Sequence, residues 1–101
     1  GKAADQGNAI GQCILASMYK EGKGVVQDVV RAAELYGKAA DQGNAIGQCI
    51  LASMYKEGKG VVQDIVKAAE LYGKAADQGH AGGQNNLGRM FEGGRGVAQD
   101  V

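Results

Sequence analysis

Apolar positions along this chain are spaced for helices, three or four residues apart, and the whole pattern returns with a 36-residue period, since Gly1 and Gly37 open nearly identical stretches. In the first stretch, Asn8, Gln12, Leu15 and Tyr19 fall on one stripe of a helix over residues 9–21, with Gly11 and Ala16 at its sides. Ile10, Ile14 and Ser17 project from the opposite side. Gly22 ends that helix, and the loop 22–27 holds two glycines that permit a tight reversal, with Val25 as an apolar plug between helices. Asp28 is placed to cap a second helix, whose apolar stripe is Val29, Ala32, Ala33, Tyr36, Ala39 and Ala40. Arg31, Glu34, Lys38 and Asp41 lie on its other side and read as a solvated outer face, with Glu34–Lys38 and Glu70–Lys74 spaced as favourable ion pairs. Gly7 is the residue type that closes a helix, and Asn8 the type that starts one, so a break is expected at Gly7-Asn8.

Residues 1–36 and 37–72 differ at only two places, Val29 against Ile65 and Arg31 against Lys67. A third copy starts at Gly73, keeps Leu87, Gly88, Phe91, Gly93, Gly96, Val97 and Asp100, and stops at Val101 before its second helix can form. Residues 1–7 thus read as the end of a second helix, 8–43 and 44–79 as full units, and 80–101 as a partial one, all within a single repeat domain. Starting without Met and stopping inside a unit, the chain is expected to be an excerpt of a longer array. Such repetition predicts an all-α, right-handed superhelix, or solenoid, of antiparallel helix pairs, each burying its apolar side against its neighbours. Small residues dominate the stripes, with Leu15, Tyr19, Tyr36 and their equivalents as the large anchors. Gly37 and Gly73, inside the second helices, are expected where a neighbouring helix comes close.

Eleven basic and eleven acidic residues cancel, so no electrostatic ground exists for nucleic acid or an anionic membrane as partner. No apolar run approaches the length of a membrane span, and GKAADQG has no signal-peptide features, so the sequence carries no compartment address. Cys13 and Cys49 are one period apart, which on packed neighbouring helices is too far for a disulfide; two free thiols are expected.

No catalytic constellation is expected. His80 stands where Asn8 and Asn44 start helices, and it has no Cys nearby in sequence. Asp28, Asp64 and Asp100 recur as caps rather than as an acid–base pair, and the GKG and GGRG segments lack the Lys-Ser/Thr ending of a phosphate-binding loop. Nothing calls for a metal or a cofactor. The unusual feature is the far side of the first helix, where Ile10, Ile14 and Ser17, then Ile46, Ile50 and Ser53, line up beside Cys13 and Cys49. On a superhelix this becomes an apolar patch on the concave wall, the kind of surface that takes a protein or peptide partner.

One set of landmarks recurs at a single period. These are Ala45, Gln48, Leu51, Tyr55, the Gly58-x-Gly60-Val61 loop, Gln63-Asp64, Lys67-Ala68, Tyr72, Lys74-Ala75-Ala76 and Gln78-Gly79, with Leu87-Gly88 in the third copy. In these the chain resembles the Sel-1-like repeat, a relative of the tetratricopeptide repeat, over essentially its whole length. It departs from that pattern at Val26, Val62 and Ala98, where Pro is common, and at Leu35 and Leu71, where Trp is common. The resemblance implies a non-enzymatic scaffold or adaptor, as in membrane-associated degradation, cell-wall synthesis, bacterial signalling and host interaction. The alternative is a structural array that self-associates end to end. More remote is the β-lactamase-like activity suggested for a cysteine-rich bacterial branch, which carries a Cys pair per unit where this chain has one.

Overall fold

The computed structural model describes the backbone of residues 2–93 and the side chains of residues 7–90. The part of the third copy expected to hold Gly96, Val97 and Asp100, and the side chain of Phe91, lie outside those bounds. Five helices follow one another: α1 (Lys2–Glu21), α2 (Val29–Asp41), α3 (Ala45–Glu57), α4 (Ile65–Asp77) and α5 (Ala81–Gly93). Sequential helices pack in antiparallel pairs, as the short connections demand. The fold is an all-helical repeat solenoid. α1 also touches α3, and α3 touches α5, whereas α2 and α4 do not approach one another. The odd-numbered helices therefore form the inner, concave layer, and α2 and α4 splay on the outside.

Local chemistry sets the helix starts. Asp28 and Asp64 hold extended backbone and accept from the amides of Arg31 and Lys67, each at 3.0 Å, and Asn44 accepts from the Gly47 amide at 2.8 Å. Each such cap contributes roughly 1 kcal/mol. The break expected at Gly7-Asn8 does not form, because α1 runs through it, although the same residues at Gly43-Asn44 do break the chain. Context decides the difference. At the second site Gly43 turns left-handed and the Asn44 side chain is buried against the preceding unit, where it accepts from the Cys13 thiol at 3.6 Å. Asn8 is exposed, and there continuing the helix satisfies the backbone.

The core is made of small residues with a few large ones. Ala16, Ala32, Ala52 and Ala68 are completely buried, and Tyr36, Leu51, Met54, Tyr72 and Met90 fill the gaps between them. Met54 and Met90 were absent from the expected anchors. Leu15, an expected anchor, is 39% exposed, whereas the equivalent Leu51 is 8% exposed because α2 covers it. Close helix approach falls at Gly47 and Gly83 rather than at Gly37 and Gly73. A Cβ on Gly47 would lie 2.9 Å from the Ala39 Cβ and 3.1 Å from the Ala40 nitrogen, while one on Gly37 or Gly73 would meet nothing within 4 Å. Gly60, too, lets its loop rest on the preceding unit, since a side chain there would run into the Val29 carbonyl.

Glutamines tie the units in register. The amide of Gln48, buried between α2 and α3, donates back to the Ala40 carbonyl at 3.3 Å, and its oxygen accepts from Gln78 Nε2 at 2.8 Å. Gln42 and Gln12 make the corresponding bond at 2.7 Å, and Gln84 reaches the Ala76 carbonyl at 3.4 Å. One of the two positions that differ between copies keeps its contact, with Arg31 over the Tyr19 ring and Lys67 over the Tyr55 ring. Among the described residues the ion pairs are Lys23–Glu21 and Lys59–Glu57, not the expected Glu34–Lys38 and Glu70–Lys74. Long exposed side chains gain too little from pairing to fix one geometry.

Candidate partner-binding groove

α1 and α3 lie side by side on the concave layer and leave a groove of about 470 Å³ between them. Ile10, Cys13, Ile14 and Ser17 come from α1, Ile46 and Ile50 from α3, and Tyr36 and Asn44 approach from beneath. Six of the eight residues picked out as a partner surface are thus brought together. Ser53 and Cys49 are not. They sit one junction further on, where Ser53 lies beside Tyr72 and Cys49 faces α5.

The isoleucines differ in availability. Ile10, Ile14 and Ile46 are exposed, Ile14 by 60%, but Ile50 is half-buried against the core. The helical turn separating Ile46 from Ile50 rotates the latter toward α1 and the Tyr36 layer. The groove floor is neutral around pH 7, because burial pushes both the Cys13 thiol and the Tyr36 hydroxyl up from their ordinary values. Charge is confined to one end, where Met18 gives way to Glu21 and Lys23, themselves paired at 3.7 Å. A neutral apolar trough with a mixed-charge end can desolvate aliphatic side chains while leaving polar backbone near water. It offers no nucleophile–base pair and no charged cradle.

Sequence reasoning missed a second apolar feature. Val26 and Val62, at equivalent loop tips, are 89% and 88% exposed, with Val30 and Val66 half-exposed behind them. Their recurrence one period apart was the available signal. Among the described residues no three His, Cys, Asp or Glu side chains gather as a metal site, and no helix is long and apolar enough to cross a membrane. Both thiols are free.

The Sel1 repeat pattern matches residues 9–44, 45–80 and 81–101. The crystal structure of a Sel1 repeat protein from Oxalobacter formigenes superposes with a TM-score of 0.89 at 33% identity, over 92% of this chain and 38% of that one. A protective antigen present in uropathogenic Escherichia coli strains, displaying an SLR fold, gives 0.90 at 38% identity, over 97% of this chain and 21% of the antigen. Cysteine rich protein B of Helicobacter pylori gives 0.75 at 32% identity, over 78% and 59%. The chain therefore spans less than two-thirds of each of these structures. No curated protein matches it.

Proposed function

This chain belongs to the Sel1 repeat family, whose helical repeats generally serve protein interaction, and on that premise we propose that it takes an apolar peptide segment of a partner protein into the groove between α1 and α3. The observation that carries this reading is the convergence of isoleucines from two adjacent units on one uncharged trough. The segment is extended or helical, places aliphatic side chains against Ile10, Ile14 and Ile46, and meets Glu21 and Lys23 with polar groups. Repeats of this family are generally non-catalytic, and the groove is read as a scaffold surface.

The test is selection of binding peptides from a random displayed library against the wild-type chain. Ile14→Lys combined with Ile46→Lys, both at exposed positions, is expected to weaken the selected peptides at least tenfold, since two buried aliphatic contacts of about 1 kcal/mol or more are lost. Val26→Lys with Val62→Lys, on the loop tips, is the control. Peptides that bind the groove double variant as well as the wild type would refute the reading.

End-to-end stacking of copies is a second reading, favoured by the exposure of Leu15 on a surface that α3, through the equivalent Leu51, buries against α2. Light scattering would give a mass that rises with concentration and returns to the monomer in Leu15→Glu. A constant monomer mass rules it out for this chain.

A further inference from the structure

Residues 1–28 and 37–64 are identical in sequence, yet part of that shared stretch folds in two ways within this one chain. In the first copy α1 runs without interruption through Gly7-Asn8. In the second, the same residues end α2 at Asp41 and restart the chain as α3 at Ala45. The bent form rests on few contacts. Gly43 is left-handed at a φ of 87°, its amide donates to the Ala40 carbonyl at 2.9 Å, and the Asn44 amide donates to the Ala39 carbonyl at 3.1 Å. The buried Asn44 side chain adds its cap on the Gly47 amide. A helix running through the junction exchanges these turn bonds for ordinary bonds between residues four apart. The chain holds no proline to forbid it.

Straightening the junction parts α3 from α2 and uncovers the face that carries Gly47, Gln48 and Leu51. The surface that fits this face is specified by the chain itself: Tyr36, Ala39 and Ala40 on α2, which leave room at Gly47 for a hydrogen and nothing larger. A second copy, straightened in the same way, offers that surface.

We propose that the Gly43-Asn44 junction is a hinge through which two copies of this chain exchange halves, with α2 and α3 of each copy fused into one helix over 29–57. Residues up to 43 of one copy pack on residues from 44 onward of the other, and the two long helices lie antiparallel. The seat of Gly47 on Ala39 and the bond from Gln48 to the Ala40 carbonyl re-form between copies. So does the groove between α1 and α3, whose two walls then come from different chains. The single chain and the exchanged pair differ in the hinge and in the entropy of association, so a few hinge residues set the balance. The exchange is independent of what the groove binds.

Two substitutions push the hinge in opposite directions. Gly43→Ala puts a side chain where the bend needs a φ of 87° and favours the continuous helix, an expected gain of about tenfold per hinge and, with two hinges per pair, about a hundredfold in the dimerisation constant. Asn44→Ala, which removes the cap and leaves Gly43 in place, is a milder push the same way. Ala45→Pro suits the bend, where residue 45 is the first of α3 and Asn44 before it is already extended, but breaks a helix that runs through.

Each variant is refolded from urea over a range of concentrations, with mass read by light scattering and helix content by circular dichroism. Gly43→Ala is expected to form a dimer of undiminished helix content, Asn44→Ala a smaller share of it, and Gly43→Ala combined with Ala45→Pro only monomer. Mixed with isotope-labelled dimer, the Gly43→Ala dimer trades partners only after unfolding, and adding Leu15→Glu leaves it intact, which separates it from end-to-end stacking. Gly43→Ala and Asn44→Ala chains that stay monomeric at every concentration would overturn the proposal. So would a dimer that persists with Ala45→Pro or exchanges partners freely in native buffer.

Discussion

Four of the glycines inside helices, Gly37, Gly73, Gly47 and Gly83, separate into two pairs that should respond oppositely to the same substitution. Gly37 and Gly73 have open space where a Cβ would go, and Gly37 borders an outer cleft of about 330 Å³ between α2 and the following unit. Alanine there keeps every contact and removes the backbone freedom that glycine loses on folding. Gly37→Ala and Gly73→Ala should each stabilise the chain by about 0.8–1.0 kcal/mol, and together by roughly twice that, since they lie in separate units. At Gly47 the added methyl gains the same propensity but lands 2.9 Å from the Ala39 Cβ, 3.1 Å from the Ala40 nitrogen and 3.2 Å from the Tyr36 carbonyl. Gly83 is tighter, at 2.8, 2.9 and 3.1 Å from Ala75 Cβ, Ala76 nitrogen and the Tyr72 carbonyl. Two of the three obstacles are backbone, so a helix must move, at about 1–3 kcal/mol of overpacking. The net result is a loss of up to about 2 kcal/mol for Gly47→Ala, and no less for Gly83→Ala. Urea unfolding followed by circular dichroism reads both as shifts of midpoint at constant slope. Gly47→Ala stabilising as much as Gly37→Ala would mean that α2 and α3 are not packed at this distance.

Leu51→Ala should cost about 2–5 kcal/mol, whereas Leu15→Ala, identical in sequence context but 39% exposed, should cost about 1 kcal/mol; equal losses by urea unfolding would contradict the uneven cover over the two units. Stability should fall as pH rises above about 9. Cys13, Cys49, Tyr36 and Tyr72 are all pushed up by burial from ordinary values of 9.0 and 10.0, so the unfolded chain ionises first and the advantage of the native state is lost as pH rises through the higher folded values. Replacing both cysteines by Ser should move the onset toward pH 10, and a urea midpoint that holds or rises between pH 9 and 11 would refute this.

The repeat, the helix pairs and the stack-facing stripe of α3 were legible because apolar spacing and capping residues are local properties. Gln48, Leu51 and Ala52 are buried as their positions on that stripe imply. Met54 escaped notice because an inner helix is touched by its own partner, by the helix before it and by its inner-layer neighbours, so its buried arc is wider than one stripe. Gly47 looked like an ordinary weak helix former, and its cause, the Ala39 methyl, belongs to the preceding helix. Leu15 and Leu51, or Asn8 and Asn44, have the same neighbours in sequence and different surroundings in space, a difference set by position in the array. Of the candidate surface, the Ile10, Ile14 and Ile46 cluster followed from helical phase. The place of Cys49 and Ser53 at the next junction did not, since it depends on which helix covers them.

Gln48 faces two ways, giving a hydrogen bond to the helix behind it and receiving one from Gln78 in its own unit. Every member of this ladder is supplied from within one period, so a whole unit spliced in or out would find its donors and acceptors already waiting on either side. Changes of length in complete units are thereby structurally neutral, whereas a change of any other size strands a buried amide. The number of units, and with it the length of trough offered to a ligand, can drift across generations without the joints having to be reinvented.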